Sequence, residues 1–243
     1  MRPAVLSFAI AGLLAGAACR PSTSGPSTPE GPTEARGPGR SGQATPPASS
    51  VKTESKPRIV CLGDSLTAGL GLSPDASYPA RLQRKLDDRG YRYEVVNAGV
   101  SGDTSAGGLR RLDWSLEGDV KILVVALGAN DGLRGLSPQD MKANLTTILD
   151  RAREKGITVI LAGMEAPPNY GADYTRQFRE VYRDLAKESE VRFVPFLLHG
   201  VAGISGLNQA DGIHPNARGA QLVADLVWPA LEPMLARPAA VTP

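Results

Sequence analysis

The stretch Ile122-Leu123-Val124-Val125-Ala126-Leu127-Gly128-Ala129-Asn130-Asp131 has the pattern of a fully buried strand that ends in polar groups. Six consecutive apolar residues, rich in β-branched side chains, suit a strand buried on both faces. Such strands belong to parallel sheets with helices packed on either side. The run then breaks at glycine and delivers an asparagine and an aspartate. Polar groups therefore stand at the carboxyl end of the strand, where open α/β sheets bind their ligands.

Similar short runs recur on either side: Ile59-Val60-Cys61-Leu62, Val95-Val96, Ile157-Thr158-Val159-Ile160-Leu161 and Val191-Arg192-Phe193-Val194. Helical spacing separates them. Met141, Leu145, Ile148, Leu149 and Ala152 form one apolar face, opened by Ser137-Pro138 with Asp140 and closed by Gly156. Tyr174, Phe178, Val181, Tyr182 and Leu185 form another, and Leu222, Val223, Leu226 and Val227 mark a last helix. About five alternations of strand and helix predict a three-layer α/β/α sandwich with a mainly parallel five-stranded sheet.

The N-terminal quarter has a different texture. Met1-Arg2 and the apolar run from Ala4 to Leu14 read as an export signal over residues 1–18, too short to span a bilayer comfortably. Ala15-Gly16-Ala17-Ala18-Cys19 resembles a bacterial lipobox, with Gly16 where the pattern prefers leucine. Lipidation of Cys19 would hold the chain to a membrane; cleavage after an alanine and retention as a simple anchor are the alternatives. Residues 19–57 hold eight prolines and no aromatic side chain, so they read as a solvated tether. The domain is placed at 58–238, with a short tail at 239–243.

Composition narrows the function. The 243 residues are 42% hydrophobic, enough for a real core. The formal charge of +2 arises outside the domain, since residues 58–243 carry 21 Lys and Arg against 22 Asp and Glu. No basic face argues for nucleic acid. Two cysteines and two histidines exclude a disulfide-stapled mini-fold and make a metal centre unexpected.

The polar groups gather after the strands. The first strand runs into Gly63-Asp64-Ser65-Leu66, and the second into Asn97-Ala98-Gly99-Val100-Ser101-Gly102-Asp103-Thr104. The third reaches Asn130-Asp131, and Asp211-Gly212-Ile213-His214-Pro215-Asn216 precedes the last helix. Singly, each has an ordinary reading. Ser65 could cap a helix, Gly102 could serve a turn, Asn130 a turn or cap, and Asp211 with His214 a surface pair. Their order on successive strand ends points instead to nucleophilic catalysis. A serine needs a base to take its proton, and a histidine three residues after an aspartate can be oriented by it.

These blocks, in this order, resemble the GDSL or SGNH hydrolase family over residues 58 to about 235. Asn130-Asp131-Gly132-Leu133-Arg134-Gly135, Asn169-Tyr170-Gly171 and the Asp211–His214 block are closest to its bacterial acyl-thioesterase, lysophospholipase and arylesterase branch. The resemblance implies a flavodoxin-like sandwich and a serine esterase without cofactor or metal. It implies catalysis by Ser65, Asp211 and His214, with an oxyanion hole from the Ser65 and Gly102 N–H groups and the Asn130 amide. Leu133, Met164, Glu165, Pro167 and Tyr170 are expected to border the substrate. Glu165, an acid near incoming substrate, argues against anionic acyl-CoA. Aryl, short- to medium-chain acyl, lysophospholipid or thio esters, hydrolysed by an exported monomer in the bacterial cell envelope, periplasmic or lipid-anchored, are the expectation. The alternatives are a carbohydrate or peptidoglycan O-acetyl esterase and a non-catalytic envelope-anchored binding domain. Asp64 and Asp103 are read as loop holders, Cys61 as a small core residue and His199 as a loop or core histidine.

Overall fold

A computed structural model describes residues 56–236. The expected export signal, Cys19, nearly all of the tether and the tail lie outside the described residues. Five strands form one sheet in the order β2-β1-β3-β4-β5, every neighbouring pair parallel. They are β1 (Arg58–Gly63), β2 (Glu94–Gly99), β3 (Val120–Ala126), β4 (Thr158–Ala162) and β5 (Arg192–Val194). The expected α/β fold is the observed one.

The central strands are the apolar runs. Ile59 to Leu62 and Leu123 to Val125 have no exposed surface, because helices cover both faces of the sheet. The helices are α1 (Ser65–Ala68), α2 (Tyr78–Asp88), α3 (Ser105–Arg110), α4 (Leu112–Ser115), α5 (Ala129–Leu133), α6 (Pro138–Glu154), α7 (Ala172–Glu188) and α8 (Ala217–Leu231). α6 opens as its sequence demands: the Ser137 hydroxyl accepts the Asp140 N–H at 3.2 Å. Its buried face is Met141, Leu145, Ile148, Leu149 and Ala152. The buried face of α7, Phe178, Val181, Tyr182 and Leu185, packs against α6.

One strand is longer than its apolar core suggests. β2 extends from Glu94 through Asn97 to Gly99, although only Val95 and Val96 look like strand. As an edge strand it pairs only with β1, so half-exposed and polar residues are tolerated along it. Its last residue has a steric role. A side chain at Gly99 would strike the Ala68 backbone, so glycine lets β2 pass directly beside the helix that carries Ser65.

Two groups stay structural. Cys61 is free and fully buried, and burial pushes its thiol up to about 12. His199 sits exposed in a turn after Phe196. No helix among the described residues is long and apolar enough to cross a membrane.

Candidate active site

Because every strand points the same way, the carboxyl ends of β1, β2 and β3 gather at one edge of the sheet. β1 delivers Asp64 and Ser65. The Asp64 carboxylate caps α1 by accepting the Leu66 N–H at 3.0 Å, which sets Ser65 as the first helical residue. β2 delivers Ser101 and Gly102 in a tight turn. Gly102 has φ +84, a backbone state that side-chain-bearing residues rarely adopt. β3 delivers Asn130 in α5.

The fourth contributor is the loop before α8. An isolated bridge between Asn208 and Pro215 closes its base, and the Gln209 N–H donates to the His214 carbonyl at 2.8 Å. The Gln209 amide also donates to the Leu70 carbonyl at 2.7 Å, tying this loop to the segment after Ser65. Within the loop, one Asp211 oxygen accepts the Ile213 and His214 N–H groups at 2.9 and 3.0 Å. The other oxygen lies 2.7 Å from His214 Nδ1. These hydrogen bonds, the His214 N–H first, hold the Asp211 carboxyl down at about 2. It is therefore an anion at neutral pH and can only accept.

His214 Nε2 lies 2.9 Å from Ser65 Oγ. With an acceptor-only carboxylate at Nδ1, the ring proton sits on Nδ1. Nε2 is left free to accept the hydroxyl proton. The three side chains thus form a hydrogen-bonded relay across 149 residues of sequence.

Donors lie beside the serine. Among the described residues the Gly102 N–H meets no protein acceptor. The Asn130 amide donates to the Asp103 carbonyl at 3.0 Å and, at a longer 3.4 Å, to the free oxygen of Asp64. Asp64 is 1% exposed, and burial raises its carboxyl to about 6 despite the opposing Leu66 N–H and His214. The expected loop holders act as such. Asp103 accepts from Arg111 Nε at 2.6 Å, and Asp64 links the start of α1 to Asn130.

Arg111 was not legible from the sequence. Its guanidinium donates to the Gly63 carbonyl at 2.8 Å and the Ala98 carbonyl at 2.7 Å while pairing with Asp103. It pins the ends of β1 and β2 where Ser65 and Gly102 emerge. Beneath Asn130, buried Asp131 accepts the Ser105 N–H and hydroxyl at 2.7 and 2.6 Å, which fixes α5 against α3.

Ser65, Gly102, Asn130 and His214 face a cavity of about 650 Å³ with a mostly aliphatic wall. Leu133, Met164, Glu165 and Pro167 line it, and so do Leu66, Leu70, Phe196, Leu198 and Ile213, which the sequence did not single out. Tyr170 is not brought to the wall. Its ring packs on Gly135, and its hydroxyl donates to the Leu133 carbonyl at 2.9 Å, so it shapes the Leu133 loop from outside. Glu165 reaches the wall already paired: Arg179 Nε lies 2.7 and 2.8 Å from its two oxygens. Its charge is met, so it no longer argues against an anionic thioester. Among the described residues no group of three or more His, Cys, Asp or Glu could hold a metal ion.

A serine–histidine–aspartate relay beside backbone and amide donors, at the carboxyl edge of a parallel sheet, defines a serine hydrolase. Residues 61–222 match the GDSL-like Lipase/Acylhydrolase family, and the chain belongs to that family as an esterase of the GDSL type. It is 46% identical over 178 residues to Esterase TesA of Pseudomonas aeruginosa, a match spanning 73% of this chain and 89% of that one. It is 38% identical to the Thioesterase 1/protease 1/lysophospholipase L1 of Escherichia coli, over 73% of this chain and 84% of that protein. Among solved structures, the psychrotrophic esterase EstA from Pseudoalteromonas sp., inhibited by monoethylphosphonate, aligns with a TM-score of 0.69 at 33% identity. That alignment covers 72% of this chain and 97% of EstA.

Proposed function

We propose that the protein is an exported serine esterase that cleaves aryl, short- to medium-chain acyl, lysophospholipid or thio esters through an acyl-Ser65 intermediate. One observation carries this reading: the Ser65–His214–Asp211 relay, at 2.9 and 2.7 Å, opens onto an aliphatic cavity large enough for an acyl chain. The leader around Met1-Arg2 and Cys19 supports export. The named activities of the relatives support the ester and thioester range.

The chemistry follows from the geometry. As Ser65 Oγ bonds to the acyl carbon, its proton passes to His214 Nε2, and Asp211 steadies the resulting imidazolium. The carbonyl oxygen becomes an oxyanion held by the Ser65 and Gly102 N–H groups and the Asn130 amide. Asn130 keeps its shorter bond to Asp103 and releases the longer one to Asp64, so one hydrogen turns to the oxyanion. Collapse breaks the bond to the leaving group, which takes the proton from His214. Water then attacks the acyl carbon, His214 accepts its proton, and Ser65 leaves with that proton restored.

Incubation with a nitrophenyl phosphonate, followed by peptide mapping, tests the proposal. Stoichiometric loss of esterase activity with the label on Ser65 is the expected result. No label together with no ester turnover would leave a binding domain.

A further inference from the structure

The cavity mouth is bordered by apolar side chains that stand in water. Leu70, Leu133 and Ile213, from three separate segments of the chain, line the cavity yet are 47%, 47% and 49% exposed. A rim of large aliphatic groups around one opening marks a surface that meets an apolar partner. Two further exposed apolar side chains, Val100 and Trp114, stand beyond the mouth. Val100 precedes the cavity residues Ser101 and Gly102, is itself 43% exposed, and shares a second depression of about 320 Å³ with Val96 and Trp114 along edge strand β2, where Arg58, Asn97, Arg111 and Glu117 add polar and charged groups. Trp114 is 70% exposed, whereas Trp228 is buried. An indole combines a broad apolar body with one N–H donor, the pattern that settles at a membrane–water boundary.

We propose that the mouth rim, Val100 and Trp114 together dock on a phospholipid bilayer, so that the cavity receives acyl chains directly from lipid. This rests on the acyl-ester reading above and assigns its substrate source. The chain outside the described residues fits this occupant. It enters at the amino end of β1, where the Pro57 carbonyl accepts the Glu94 N–H at 3.0 Å, and the mouth lies at the opposite pole of the all-parallel sheet. Residues 20–55 separate Cys19 from that point, a contour of up to about 130 Å at full extension. A domain of this size is about 40 Å across. An anchor at Cys19 therefore leaves the mouth free to turn onto the same membrane. The domain's near-balanced overall charge leaves apolar insertion as the main attraction.

The test uses the chain from residue 20 onward, which has no anchor, with vesicles of phosphatidylethanolamine and a minority of phosphatidylglycerol. Co-flotation with the vesicles, a blue shift of tryptophan emission and quenching by brominated acyl chains are expected. Trp114→Gln and Val100→Ser are expected to weaken vesicle binding by about tenfold or more, as insertion scales with apolar area. Turnover of soluble nitrophenyl acetate should stay at the parental rate in both. Absence of co-flotation, or equal binding by the variants, would overturn the proposal. So would an emission shift on concentrating the protein without vesicles, which assigns the patch to a second copy. So too would a red shift on removing residues 20–55, which assigns it to the chain's own segment. If the parent fails to turn over soluble ester, the functional reading falls, and vesicle binding still decides the docking surface.

Discussion

Replacing Asp64 by asparagine separates two roles of one buried carboxylate. One oxygen caps α1 through the Leu66 N–H, and the other faces the Asn130 amide. Burial raises this carboxyl from 3.8 to about 6. The unfolded chain ionises the group near 3.8 while the folded state resists until about 6. The group therefore costs no stability below pH 3.8, and its cost grows with rising pH and levels off above 6. That difference corresponds to about 3 kcal/mol in full, with about 2 kcal/mol of it accruing between pH 4.5 and 7. Asp64→Asn cannot ionise, so it escapes this cost. Its carbonyl can still accept from Leu66, but its amino group now faces the Asn130 amino group, donor against donor. That clash adds a loss independent of pH and misorients Asn130. Urea unfolding at several pH values gives the stability of each protein. The wild-type advantage over the variant is predicted to shrink by about 2 kcal/mol from pH 4.5 to 7. A difference constant to within about 0.5 kcal/mol over that range would refute the burial argument. The variant's kcat is also predicted to fall, though less than on removing the Asn130 amide altogether.

Asn130→Ala removes an oxyanion donor and is predicted to lower kcat by about a hundred- to a thousand-fold with KM little changed; steady-state kinetics with a nitrophenyl ester would show it, and a change confined to KM would sink the role. Asp211→Asn keeps the loop's shape but lets the ring take the wrong tautomer, so kcat should fall by about ten-thousand-fold with a native circular dichroism spectrum. Because Asp211 is held down at about 2, its own protonation should not reduce activity until pH falls well below 4. Arg111→Met strips donors from the Gly63 and Ala98 carbonyls and leaves Asp103 unpaired. A stability loss of about 3 kcal/mol is expected by urea titration, and an unchanged midpoint would mean the guanidinium does not hold the strand ends.

What was legible in the sequence follows from periodicity and local chemistry. The run Ile122 to Leu127 announces its burial because a strand covered on both faces has no polar position. The relay is legible because Asp211 and His214 share one turn, and because Ser65, Gly102 and Asn130 follow three apolar runs in order. The contacts that support them are not local. Arg111 sits in a stretch with the look of a charged surface turn, yet it reaches carbonyls 48 and 13 residues away. From sequence alone Glu165 looks like a bare charge, because its partner, Arg179, lies 14 residues on, on another element. Leu70, Phe196 and Ile213 resemble ordinary loop hydrophobes until the fold brings their loops to one cavity. Tyr170 sits in the expected neighbourhood, but its hydroxyl donates to the Leu133 carbonyl rather than reaching the cavity.

Catalysis through this site requires a covalent acyl group on Ser65. Rapid acid quench of the enzyme during turnover of a nitrophenyl ester, with intact-mass and peptide analysis, measures it directly. A nitrophenol burst matching the enzyme concentration and one acyl increment on the peptide containing Ser65 are expected, with neither in Ser65→Ala. An acyl increment on another residue, or full turnover by Ser65→Ala, would contradict it.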